Sequence, residues 1–260
     1  MKDVQNQKSD IKIKLNLVGV KDVIYPISLV DKSNNIQNTV ASIAMYVNLP
    51  KSKKGTHMSR FLEVLNQNKN IHLNSSRWFP MLKNLKKTFK CSRTEINVKT
   101  PYFIKKEAPV SKKQSLLKID CRFKCILNGK KQEIMSIKVP VTSLCPCSKE
   151  ISKYGAHNQR SFVKVELITK RFIWIEDLVK IIEDCASCAI YPLLKRSDEK
   201  YVTEKAYENP VFVEDLVRDV ALKMKKDKRV TWFRVTVENQ ESIHDHNVFA
   251  VYEEGVKKEI

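Results

Sequence analysis

The stretch SFVKVELITKRFIWIEDLVKIIEDCASCAIYPLLK, residues 161–195, changes its period in the middle. Over 161–170 apolar and polar residues alternate, as in a half-buried strand. From 174 to 195 the apolar residues recur at helical spacing, which predicts one long amphipathic helix. NPVFVEDLVRDVALKMKKD (209–227) predicts a second helix, with Asn209 placed to cap it and Pro210 at its first position. RVTWFRVTVEN (229–239) and NVFAVYE (247–253) then return to the strand pattern.

The same rhythm precedes this stretch. IKIKLNLVGV (11–20), VIYPISLV (23–30) and TVASIAMYVNL (39–49) predict three strands, the last ended by Pro50. Residues 59–68 and 75–89 predict two helices, the second kinked or started near Pro80, and 94–103, 115–127 and 132–144 predict three more strands. Each half therefore reads as strands flanking a pair of helices. The fold class expected is α+β, in two related modules, 1–150 and 151–260, joined near residues 145–160.

With 42% hydrophobic residues in 260, the chain can bury a substantial core. The polar N-terminus has no apolar segment behind it, and no run of about 18 apolar residues occurs, so neither signal peptide nor membrane span is expected and the reading is cytoplasmic. Seven cysteines, an odd number, favour reduced thiols, metal ligation or catalysis over a disulfide framework. The net charge of +19 invites a nucleic-acid reading, but only 10 of the 48 basic residues are Arg, the residue that base readout favours. The charge equally suits a polyanionic small molecule such as a nucleoside triphosphate. With five glycines and neither GxxxxGK[ST] nor GxGxxG, P-loop, kinase and Rossmann chemistry are poorly supported.

The chemistry concentrates in two segments. VTSLCPCSKEISKYGAHNQRS (141–161) carries Cys145, Cys147 and His157, soft ligands that suit zinc or a similar ion. Pro146 ends the strand between the cysteines, so one can face a pocket while the other packs beside it. ENQESIHDHNVFA (238–250) carries Glu241, His244 and His246, the two histidines at strand parity. Together they suggest an open metal site able to acidify a water. The rival, a clip of Cys145 and Cys147 with Cys185 and Cys188, places the latter pair on one buried helical face, a poor setting for structural zinc. Cys121 and Cys125 read as core packing.

VPVTSLCPCSKEISKYGAHNQRS closely resembles the signature of the type IB GTP cyclohydrolases, prokaryotic enzymes that open folate biosynthesis. The likeness extends to KGTHMSRF (54–61), APVS (108–111), LLKRSDEKYVTEKAYENPVFVEDLVRDVA (193–221) and ESIHDH (241–246). It implies the tunnelling fold, with two sheet-plus-helix-pair modules per chain, and a homotetramer whose sites lie at subunit interfaces. The implied reaction converts GTP and water to 7,8-dihydroneopterin triphosphate and formate, with a divalent metal (Zn, Mn or Fe) activating the water. Carried over by position, the resemblance makes Cys145, His157, Glu199 and His244 metal ligands, and Cys145, His157, Glu241 and His246 the catalytic group. It makes Glu214 the carboxylate that holds the guanine edge; which carboxylates bind metal and which bind base stays open. Lys149, Arg160, His57 and Arg60 are candidates for the triphosphate. One departure is Ser197, where the family pattern leads one to expect proline.

Overall fold

Period two became strand and period 3.6 became helix along most of the chain. A computed structural model describes residues 5, 7–33, 35–67 and 78–257. In chain order the elements are β1 (Leu15–Val30), β2 (Ile36–Leu49), α1 (Ser59–Asn66), α2 (Trp78–Phe89), β3 (Arg93–Glu107), β4 (Gln114–Asn128), β5 (Lys130–Leu144) and α3 (Pro146–Ile151). There follow β6 (Asn158–Thr169), α4 (Ile175–Cys185), β7 (Cys188–Ala189), α5 (Arg196–Glu208), α6 (Val213–Lys226), β8 (Val230–Gln240) and β9 (Val248–Gly255). The class is α+β, with antiparallel strands. Contacts group the described residues into two units, one taking the chain up to Pro101 with Arg122–Met135, the other Tyr102–Cys121 with Ser136–Lys257.

In the first unit β1 pairs with β2 and β2 with β3, both antiparallel. Ile43, Met45 and Val47 alternate on the buried face of β2, as do Ile96 and Val98 on β3. α2 packs on β2 and buries Met81, Leu82 and Leu85, and Phe61 of α1 stacks on Phe89 with ring centroids 4.3 Å apart. Each such side chain stabilises the fold by about 1.5–3 kcal/mol. The strands expected at 11–20 and 23–30 are one strand, β1. Between Val20↔Met45 and Val23↔Ile43 two residues face one, and Asp22 takes φ 59°. That bulge absorbs the break in alternation and lets the ladder continue. Of the helix expected at 75–89, residues 75–77 lie outside the described residues. Pro80 falls in the first turn of α2, where its missing N–H costs nothing.

Gly19 of β1 is held by space. A Cβ there would lie 1.9 Å from the Met45 carbonyl oxygen. Gly19→Ala is therefore expected to cost about 1–3 kcal/mol through forced backbone displacement, read as a lower urea midpoint with unchanged slope.

The second unit is built on β6, β8 and β9. Val163↔Val237 and Val165↔Val235 set the register of the first pair, and Val237↔Ala250 that of the second. α6 packs on β8 and β9 through Leu216, Val217, Val220 and Met224, and α4 packs on α6 through a stripe that includes Leu178 and Ile182. The helix expected over 174–195 stops at Cys185. The next residues are taken by β5: the Ser187 hydroxyl accepts from Leu144 N at 3.0 Å, and Cys188 pairs with Thr142 as β7. Cys185 and Cys188 are both buried, but on different elements. Asn209 is a correction of the same kind. It closes α5 rather than opening α6, and its side chain donates to Ala186 O at 2.9 Å, while α6 begins after Phe212. Cys121 and Cys125 are buried, and burial pushes both thiols up, which keeps them unreactive.

Asp198, fully buried in the first turn of α5, ties two distant segments together. One carboxylate oxygen accepts from Lys195 N, and the other from Val110 N and Ser111 N, each at 2.8 Å. Burial pushes this carboxyl up, but the hydrogen bonds outweigh it and hold it well below the usual carboxylate range. A depressed carboxyl contributes stability that is present above its unfolded value of about 3.9 and lost as pH falls through the folded one. Asp198→Asn should therefore lower the urea midpoint most at neutral pH. The gap to wild type should close below about pH 4; a gap that widens in acid would contradict this account.

Among the described residues no helix is long and apolar enough to cross a membrane.

Candidate active site

The register of the second unit assembles a cavity of about 240 Å³ at one end of its strands. Cys145 follows β5, His157 and Gln159 sit at the start of β6, Asn239 and Glu241 at the end of β8, and Val248 opens β9; all line the cavity. The β6–β8 ladder ends at Arg160↔Gln240, so the next step along it sets Gln159 opposite Glu241. Because side chains alternate, 157, 159 and 161 share one face of β6, and 239 and 241 share one face of β8. The remaining wall comes from Val211, Phe212, Val213 and Glu214 at the start of α6. Val211 N donates to Leu144 O at 3.1 Å, which pins that segment to the end of β5.

Cys145 is half-buried and caps α3, its sulfur accepting from Ser148 N at 3.5 Å. Its backbone N–H donates to His157 O at 3.1 Å, and His157 N donates to Ser148 Oγ at 3.2 Å, so thiol and imidazole are held by the same turn. Cys147 does not pack beside its neighbour. It is exposed, because Pro146 starts a helical turn that rotates the second cysteine away.

Glu241 and His244 reach the cavity from the segment between β8 and β9. That segment is a series of bends rather than a strand, so parity does not align His244 with His246. Their rings stack instead, with centroids 5.0 Å apart. His246 is exposed beside Asp245, with 3.3 Å between Nδ1 and Oδ1.

The other candidates lie outside the cavity lining. Glu199 is exposed in the first turn of α5, next to the Asp198 clamp. Arg160 is exposed on the face of β6 opposite Gln159. Lys149 Nζ donates to Tyr207 O at 2.6 Å and lies over the Tyr207 ring. His57 and Arg60 belong to the first unit, at the start of α1. Glu214 does line the cavity, from the exposed first turn of α6.

Sequence reasoning missed the polar chain behind the cavity. Gln159, Ser143, Ser161 and Asn239 are all buried and hydrogen-bonded in series. The available signal was polar residues at the inward parity of strands otherwise filled by Val and Leu.

An α+β fold of paired antiparallel strands and helices, with thiol, imidazole and carboxylate around one cavity, is that of a small-molecule enzyme. By fold alone the chain resembles uricases: that of Arthrobacter globiformis aligns with a TM-score of 0.54 at 7% identity, covering 97% of both chains. The uricase of Bacillus fastidious gives 0.55 at 6%, covering 95% and 94%. The particular relationship comes from sequence. The model of the type I GTP cyclohydrolase folE2 family matches residues 1–250, and the chain belongs to that family. GTP cyclohydrolase FolE2 of Thermotoga maritima is 51% identical over 260 residues, 98% of each chain. That of Syntrophotalea carbinolica is 50% identical over 253 residues, 97% of this chain and 95% of its own.

Proposed function

We propose that this chain, a GTP cyclohydrolase of folate biosynthesis, carries out its reaction in the cavity between Cys145, His157, Glu214 and Glu241, converting GTP and water to 7,8-dihydroneopterin triphosphate and formate. The observation that carries the reading is the meeting, on one wall, of a thiol, two imidazoles and a carboxylate from segments far apart in sequence. Among the described residues no three Cys, His, Asp or Glu side chains form a ready-made cluster for an ion. The chemistry of the donor set supports a metal instead: thiolate and imidazole suit zinc, and an added carboxylate admits manganese or iron. Cys145, His157 and His244 are the proposed ligands from the cavity wall, with Glu199 as the fourth. A divalent ion held by them would supply the Lewis acidity that lets water attack C8 of guanine near neutral pH.

The chain's own residues do the rest. Glu214 accepts two parallel hydrogen bonds from N1–H and the 2-amino group of guanine, the pairing a carboxylate makes best. Glu241 and His246 take and return the protons that ring opening and formate release require. Lys149, Arg160, His57 and Arg60 are the proposed triphosphate contacts.

Two further readings belong here. The order strand–strand–helix–helix–strand–strand occurs on either side of Gly129 once α3, β7 and one helix of the second set are treated as insertions. This supports two related modules of the tunnelling kind, with a boundary earlier than residue 150. A cytoplasmic homotetramer with sites at subunit interfaces is proposed as well. It is supported by β9, the last strand of its sheet, which exposes Phe249 and Val251.

The test is incubation of the purified protein with GTP and Zn, Mn or Fe, assaying formate and the fluorescence of oxidised neopterin. Absence of product with all three metals overturns the reading. A product differing in mass from the triphosphate would assign another reaction to the site. Light scattering gives the subunit number.

A further inference from the structure

The buried polar chain behind the cavity has a direction, and that direction reaches the imidazole of His157. Gln159 uses one end of its amide on two partners: that atom lies 3.3 Å from Ser143 Oγ and 3.4 Å from Glu241 Oε1. A carboxylate can only accept, so the end facing Glu241 is the amino group. The other end, the carbonyl oxygen, lies 3.0 Å from His157 Nδ1.

The far end of the chain agrees independently. The Ser161 hydroxyl donates to Asn239 Oδ1 at 2.6 Å, so its oxygen is left to accept from Ser143, 2.7 Å away. Ser143 has then spent its only proton and must accept from Gln159. Turning the amide round would set its oxygen against the carboxylate of Glu241 and disrupt the chain at Ser143. All four side chains are buried, where a mismatched polar contact costs about 1–3 kcal/mol.

We infer that Gln159 is a positioning residue: it holds neutral His157 in the tautomer protonated at Nδ1, so that Nε2 carries the lone pair offered to the cavity. Ser242 Oγ, 3.5 Å from the same Nδ1, is a weaker partner that can share this proton. The inference rests on the proposed function only for the use made of Nε2, as ligand to an ion. The tautomer itself follows from Gln159, Glu241 and the two serines.

The experiment uses full-length protein labelled with ¹⁵N-histidine. Long-range ¹H–¹⁵N correlation of the metal-free form, above the pH at which the ring is neutral, reports which nitrogen carries the proton; the resonance missing in His157→Ala assigns the signal. The expected result is Nδ1–H in wild type. In Gln159→Met the proton should move to Nε2, and zinc affinity, measured by chelator competition, should weaken about 10- to 100-fold, as with other outer partners of ligating histidines. Gln159→Glu keeps an oxygen facing Nδ1 and should retain the tautomer, at a cost in stability because its second oxygen then faces the Glu241 carboxylate and Ser143 Oγ with no proton to give. A proton on Nε2 in wild type overturns the inference, as does a Gln159→Met protein with unchanged tautomer and affinity. If Gln159→Met does not fold, the wild-type and Gln159→Glu spectra decide. Zinc binding undiminished in His157→Ala would overturn the metal reading of the site while leaving the tautomer assignment standing.

Discussion

Cys145→Ser is expected to abolish turnover without loosening the fold. A serine hydroxyl stays protonated near neutral pH and is a poor partner for a borderline ion, so the proposed metal would leave with the thiolate. Its loss would remove several kcal/mol of charge stabilisation, at least about 10³-fold in kcat. The fold has little to lose, because the backbone bonds from Cys145 N to His157 O and from Lys149 N to Cys145 O survive the change. The side-chain cap on Ser148 N, long at 3.5 Å with sulfur, is one that a serine makes better. The melting temperature should stay level or rise while bound metal falls below one per chain. Residual turnover within about tenfold of wild type (~1.4 kcal/mol) would remove Cys145 from the chemistry. A large fall in melting temperature would mean that the thiol is structural.

The second large effect belongs to Glu214. In Glu214→Gln one acceptor becomes an amino group that faces a guanine N–H, so one hydrogen bond is replaced by a donor against a donor and the other keeps its acceptor but loses its charge assistance. At about 1.5–3 kcal/mol each, this predicts a fall in kcat/KM for GTP of about 10²- to 10³-fold. Stability should change by less than about 0.5 kcal/mol, since the side chain is exposed on the first turn of α6. Inosine triphosphate, which lacks the 2-amino group, separates recognition from general damage. Wild type should discriminate strongly against it, and Glu214→Gln far less. Equal losses toward both nucleotides would mean that Glu214 does not read the base.

Much of the architecture was legible from local pattern. The alternation through Val163, Val165 and Leu167 gave β6, and the apolar stripe Leu216, Val217, Val220 and Met224 gave α6. The failures came where a distant partner outbid local propensity. IIEDCASCAI continues a helical pattern, yet Ser187 and Cys188 are claimed by β5, more than 40 residues earlier. Asn209 before Pro210 has the form of an N-cap, yet it caps the preceding helix because its amide finds Ala186 O.

The site divides along the same line. Residue chemistry alone marked Cys145, Cys147, His157, Glu241, His244 and His246 as a donor set, and family likeness added Glu199 and Glu214. Sequence could not show that Glu241 and His244 share a wall with Cys145 while His246 and Glu199 stand outside it. Nor could it show that Asp198 joins APVS to the turn bearing Glu199 across 88 residues. Gln159 was invisible because its meaning depends on facing Glu241, 82 positions away. That pairing is fixed by register, and register is fixed by which valines of β6 and β8 must be buried together, since a slip of one residue would turn every one of them outward. The amino-acid sequence by itself determined most of the long elements, the donor chemistry and the family. Only the tertiary structure decided which donors meet and which side chains hold Nδ1 of His157, because both depend on hydrogen bonds and packing between segments that are neighbours only after folding.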